Sequence, residues 1–179
     1  MKKVGVFLRA INLSGRRLLM ADFKRVLADV GHPDAQTVVA TGNAVIAAKA
    51  ADAALEARIE KGLETTLGQS TEVFVRDGAE LAAIVAANPF PAMARDDPSH
   101  LVVVFLKGEP QAAAVEALRG KIKGPEEVAG GPGCLYASYP DDIGHSKLTA
   151  AMIERALKLR GTARNWNTVL KMAELTRDP

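Results

Sequence analysis

Residues 9–17 read RAINLSGRR. Arg9 and Arg16 supply guanidinium groups, Asn12 an amide, Ser14 a hydroxyl and Gly15 a flexible backbone. These groups bind phosphate or carboxylate oxygens. The stretch leaves the end of an apolar run and precedes a helical pattern. The GxxxxGK[ST] spacing of a nucleotide triphosphate loop is absent, and so is the GxGxxG of a dinucleotide fold. No cofactor is called for. The same residues also fit a structured connection in which Asn12 and Ser14 bond local backbone.

A second group, GTARNWNT, spans residues 161–168 and stands just before an expected helix. Asn165, Asn167 and Thr168 are all suited to capping that helix. Capping does not account for Arg164 or for the lone Trp166. A helix start beside an arginine binds anions through exposed N–H groups and the helix dipole. Trp166 fits a core position, or a stacking role against a base or sugar. A smaller candidate is Asn43 in Thr41-Gly42-Asn43, a turn whose amide could face a ligand.

The third group is YASYPDDIGHSK at 136–147. Asp141, Asp142 and His145 are metal-ligand types, but they are few, close together and without a second cluster, so no metal is expected. Ser146 and Lys147 are neighbours, and adjacent side chains on a helix diverge by about 100°, so they do not form a dyad. Ser146 reads as a helix cap. Lys147 can point a charge at a site near that helix start.

The elements that would position these groups are legible from periodicity. Residues 4–9 read as a buried strand. Met20, Phe23, Val26, Leu27 and Val30 recur at helical spacing and stop at Gly31. Short strands at 37–40 and 44–47 flank the Gly-Asn turn, a hairpin signal. Leu55, Ile59, Leu63 and Leu67 mark a second helix, and 71–76 a fourth strand. The order is that of the split βαβ, ferredoxin-like plait. A short helix at 78–87 and a proline-rich stretch at 88–99 read as helix and linker. Residues 101–106 are a central strand, 111–120 a helix, 127–129 and 134–139 strands. A helix starts near Ser146, and a last one near Asn167 or Thr168. The second half thus ends in a helix where a repeated plait would need a strand. The class is α+β, with subdomains at 1–77 and 100–179 joined by 78–99.

Composition sets bounds. The chain has 179 residues and one cysteine, Cys134, so it has no internal disulfide, and a reducing compartment, the cytoplasm, is expected. No apolar run is long enough to span a membrane. The net charge is only +2, but residues 1–25 carry seven Lys/Arg against Asp22, and 145–171 carry six against Glu154. Basic character at both ends fits an anion-binding face if the ends meet in space.

FLRAIN (7–12) with Gly15, TGNAVI (41–46) and TARNWNT (162–168) together resemble the bacterial family called domain of unknown function 1697. Ala10 departs from the family's usual glycine. The strand after Asn43 runs Ala-Val-Ile rather than Val-Val-Phe. The resemblance implies two ferredoxin-like subdomains, the second incomplete or decorated. It implies no activity, cofactor or catalytic residue.

The expected function is binding of an anionic ligand, a nucleotide-like small molecule rather than nucleic acid, because only 4% of residues are aromatic. The site residues expected are Arg9, Asn12, Ser14, Gly15, Arg16, Asn43, Lys147, Arg164, Asn165 and Asn167. The 9–17 and 162–168 segments should border one basic pocket. An enzyme would need Asp141, Asp142, His145 or Lys147 near both arginines. A ligand-free structural or oligomeric module is the third reading, and no oligomeric state follows from the sequence.

Overall fold

Alternation of apolar residues after Lys2-Lys3 builds β1 (Lys2–Leu8), whose last five residues are buried. The computed structural model describes residues 1–9, 18–38, 42–68 and 70–179. Helix α1 (Met20–Asp29) buries Phe23, Val26 and Leu27, the single stripe expected of an amphipathic helix. Strands β2 (Gln36–Val38) and β3 (Asn43–Ala48) pair antiparallel, and Gly42 before β3 has φ 74°, which favours glycine. Helix α2 (Ala53–Leu67) starts where the Asp52 carboxylate accepts the Leu55 N–H at 2.9 Å, and it ends at left-handed Gly68. Strand β4 (Val73–Asp77) completes an antiparallel sheet in the order β2-β3-β1-β4. Val4, Val6 and Leu8 share a core with Phe23, Leu27, Ile59 and Leu63.

Helices α3 (Gly78–Ala86) and α4 (Pro91–Asp96) and a 3-10 turn over Pro98–His100 lead to β5 (Leu101–Leu106), buried along its whole length. Then come α5 (Ala112–Lys121), β6 (Glu127–Gly131), β7 (Cys134–Ser138), α6 (Ala150–Leu157), β8 (Gly161–Asn165) and α7 (Trp166–Thr176). The second antiparallel sheet has the order β6-β7-β5-β8. The described residues thus form an α+β chain with two four-stranded antiparallel sheets and seven α-helices. It divides into two compact units, Met1–Ala82 with Lys171–Pro179, and Ala83–Leu170. The last helix therefore contributes residues to both.

In each unit the face of the sheet away from the paired helices meets part of α3 or α7. A Cβ on Gly5 would lie 3.2 Å from Met172 Cε and 3.3 Å from Leu81 Cδ1. In the second unit the buried Tyr136 hydroxyl donates to the Ile84 carbonyl at 2.6 Å.

Three expectations are corrected. Residues 161–165 form β8, a strand, so the second unit has the same βαββαβ order as the first. Its sequence, GTARN, has no apolar alternation, and pairing with β5 decides its conformation. Helix α6 starts at Ala150, and Thr149 rather than Ser146 caps it, accepting the Met152 N–H at 3.2 Å. The last helix begins at Trp166, next to the expected start near Asn167 or Thr168. The 88–99 linker contains α4 and the 3-10 turn.

The two units repeat each other in detail. Leu8 N–H donates to the Gly42 carbonyl and Leu106 N–H to the Gly133 carbonyl, each at 2.9 Å, and both glycines have positive φ. Arg9 N–H donates to Glu72 and Lys107 N–H to Arg160, again at 2.9 Å. The duplication shows in the order of elements and not residue by residue, because equivalent positions carry different chemistry: Asn43 matches Cys134, and Arg9 matches Lys107.

Candidate functional site

Arg164 lies on β8 opposite Val103 of β5. Its Nη1 donates to Thr162 Oγ1 and to the Ala163 carbonyl, both at 2.8 Å. Thr162 and Arg164 therefore share one face of the strand, as a period of two requires. The side chain is half-buried, and burial pushes its pKa down to about 10, because desolvation disfavours the charged form. One residue on, Asn165 accepts the Thr168 N–H at 3.0 Å and caps α7. Asn167 is exposed in the first turn of that helix. Trp166 is buried, so the core role is the one it fills.

The first unit holds the same arrangement, which the sequence reading missed. Arg76 Nη1 donates to the Val75 carbonyl at 2.7 Å. Asp77 follows it and accepts the Glu80 N–H at 2.9 Å, while Asp77 N–H donates to Glu80 Oε2 at 2.8 Å. The shared signal is Arg-Asx at the end of an edge strand directly before a helix, RD at 76–77 and RN at 164–165.

Arg9 and Asn43 come to the same face of the first sheet. Asn43 pairs with Phe7, and Arg9 stands two residues beyond Phe7. Asn43 is fully buried. Arg9 Nη1 donates to Glu72 Oε2 at 2.7 Å, with both side chains partly exposed. Asn12, Ser14, Gly15 and Arg16 lie outside the described residues, and so does the expected meeting of the 9–17 segment with 162–168.

Lys147 is exposed. Ser146, Leu148 and Thr149 line a cavity with Gly161 and Ala163. Strand alternation places Arg164 on the opposite face of β8. The acid–base candidates Asp142 and His145 are exposed and bonded to each other, and that bond, with the Gly144 N–H, holds the Asp142 carboxyl below its usual range. Among the described residues no three metal-ligating side chains converge. No described helix is long and apolar enough to cross a membrane.

A family model for proteins of unknown function, DUF1697, matches residues 1–136. The chain belongs to that family. The first two motifs of the resemblance lie inside the matched stretch, and TARNWNT lies beyond it. A comparison with curated proteins finds no match. Among solved structures, a conserved bacterial protein from Streptococcus pneumoniae is similar over 99% of both chains, with 17% identity and a TM-score of 0.71. That likeness is one of fold.

Proposed function

We propose that this DUF1697 protein binds a phosphate-bearing or other anionic small molecule in the cytoplasm, and that each unit is a ferredoxin-like plait. The element order and the strand orders support the plait reading. The observation that carries the ligand reading is Arg164. Its guanidinium is drawn out of water at the end of β8, one residue from the capped start of α7. A desolvated cation gains more from an anion than an exposed one does, because the local dielectric is lower. A guanidinium also matches two oxygens of a phosphate or carboxylate at once. In the second unit ligand binding is assigned to Arg164 with Asn165, Asn167 and Lys147, and in the first to Arg9, Asn12, Ser14, Gly15, Arg16 and Asn43.

A compact ligand is favoured over nucleic acid because the one tryptophan is buried and offers no stacking platform. The test is a thermal-shift panel of nucleotides and sugar phosphates on the full chain. A specific ligand raises the midpoint of the parent, and Arg164→Ala abolishes that rise while Arg95→Ala, a change in an exposed ion pair, keeps it. No rise with any member of the panel defeats the proposal. Affinity for a compact ligand falls gently with salt, whereas a steep fall marks a polyanion.

A further inference from the structure

The edge strands β4 and β8 are treated differently by the helices beside them. In β4 two of the three N–H groups that point away from β1 are taken by α2, Val73 N–H donating to Glu60 at 2.9 Å and Val75 N–H to Glu56 at 3.0 Å, and the third, Asp77 N–H, goes to Glu80 of α3. In β8 the equivalent first rung is served, since Gly161 N–H donates to Glu154 of α6 at 3.1 Å. Glu60 and Glu154 each follow a buried isoleucine, Ile59 and Ile153, which fixes the correspondence. One turn earlier, the place of Glu56 is held by Ala150. Lys107 bonds to Arg160, so residues 160, 162 and 164 face β5 and Ala163 faces outward. Ala163 N–H meets no acceptor among the described residues.

A cavity of about 260 Å³ lies where the missing carboxylate would be, lined by Ala150 and Ala163 and walled by Val102, Val104, Leu148 and Ile153. Ala150 and Ala163 are exposed, so the mouth is open to solvent. The volume is below that of a drug-sized site and suits a small ligand. We propose that this cavity binds a small branched aliphatic carboxylate, one oxygen accepting the Ala163 N–H and the hydrocarbon packing on the valine, leucine and isoleucine side chains. Such a ligand does in the second unit what the Glu56 side chain does in the first. Glu154 does not repel it decisively, because Glu56 and Glu60 already stand one turn apart beside β4, and Glu154 is engaged by Gly161 N–H and by Arg160 at 3.6 Å. The site is on the face of β8 opposite Arg164 and does not depend on the anion site there.

The test is an amide NMR titration of the full chain with isovalerate and, separately, with 3-methylbutylammonium, which shares its hydrocarbon. Isovalerate is expected to bind in the millimolar range and to shift the Ala163 amide, with the ammonium weaker by about tenfold or more. Ala150→Glu restores an internal carboxylate, as in the first unit, and is expected to abolish isovalerate binding while raising the thermal midpoint. Ala163→Leu fills the cavity from an exposed strand position and is expected to abolish binding as well. Arg164→Ala leaves it unchanged, which separates this site from the one proposed above. The inference is overturned if isovalerate leaves the Ala163 amide unmoved, if the ammonium binds as well as the acid, or if folded Ala150→Glu still binds isovalerate at parental affinity.

Discussion

Asp77 and Asn165 hold the same position in the two units. Each closes an edge strand, follows an arginine that bonds back to the preceding carbonyl, and caps the helix that comes next. They differ in reciprocity. Asp77 and Glu80 exchange two bonds, a capping box, whereas Asn165 makes a single cap bond to Thr168 N–H. Asp77→Ala is expected to cost about 1–2 kcal/mol and Asn165→Ala about 0.5–1 kcal/mol. Urea unfolding of the two variants measures both, and equal losses would contradict the assignment of a capping box to the first unit alone.

Asp77 also makes stability depend on acid. Burial raises its pKa, but the bonds from Lys2 Nζ at 2.8 Å and from the Glu80 N–H outweigh burial, and the carboxyl stays below its usual value of 3.8. A carboxyl depressed on folding stabilises the folded state above its unfolded pKa, and that stability is lost as pH falls through the folded value. Lys2 is shifted upward by the same carboxylate, so its share is present at neutral pH and is lost only in strong alkali, above 10.5. The urea midpoint of the parent should exceed that of Asp77→Asn at neutral pH, and the gap should close as pH falls below 3.8. A constant gap from neutral to acid would show that the Asp77 charge plays no part.

The Glu56 carboxylate is the outer partner of Val75 N–H on an edge strand. Glu56→Ala uncovers that N–H, and the expected cost is about 1 kcal/mol. The sharper readout is hydrogen exchange: the Val75 amide should exchange faster while Val73, held by Glu60, keeps its protection. An uncovered edge also pairs more readily with other chains, so the variant should self-associate at high concentration. Unchanged exchange at Val75 would mean that the carboxylate does not protect it.

The first unit was readable in order because its strands and helices carry strong periodicity, as Val4, Val6 and Leu8 and then Leu55, Ile59 and Leu63 show. Strand β8 was not, since Gly161, Arg164 and Asn165 have no strand pattern of their own and only five pairings to β5 hold them extended. The start of α6 shifted from Ser146 to Ala150 because the Ser146 hydroxyl donates to Glu126 at 2.6 Å, a contact made by the fold. Arg164 and Asn165 were picked out by residue type. Their counterparts Arg76 and Asp77 stand at the end of a β-forming stretch and carry no local signal of their own. The common geometry of the two pairs needs the register of both sheets.

Two helical glycines should respond to alanine with opposite signs. A Cβ on Gly78 would lie 2.2 Å from the Thr176 carbonyl oxygen and 3.0 Å from its carbon. That neighbour is backbone, and it is fixed: Thr176 is fully buried and its Oγ1 donates to the Met172 carbonyl at 2.8 Å. Neither α3 nor the end of α7 can yield without breaking packing, so Gly78→Ala is expected to cost about 1–3 kcal/mol. Gly120, in the last turn of α5, meets nothing within 4 Å of its Cβ position. There alanine only narrows the unfolded ensemble and improves helix propensity, and Gly120→Ala is expected to gain about 0.5–1 kcal/mol. Thermal and urea midpoints of the two variants check both signs in one experiment. A stabilised Gly78→Ala would mean that the contact of α3 with Thr176 is looser than its 2.2 Å geometry requires.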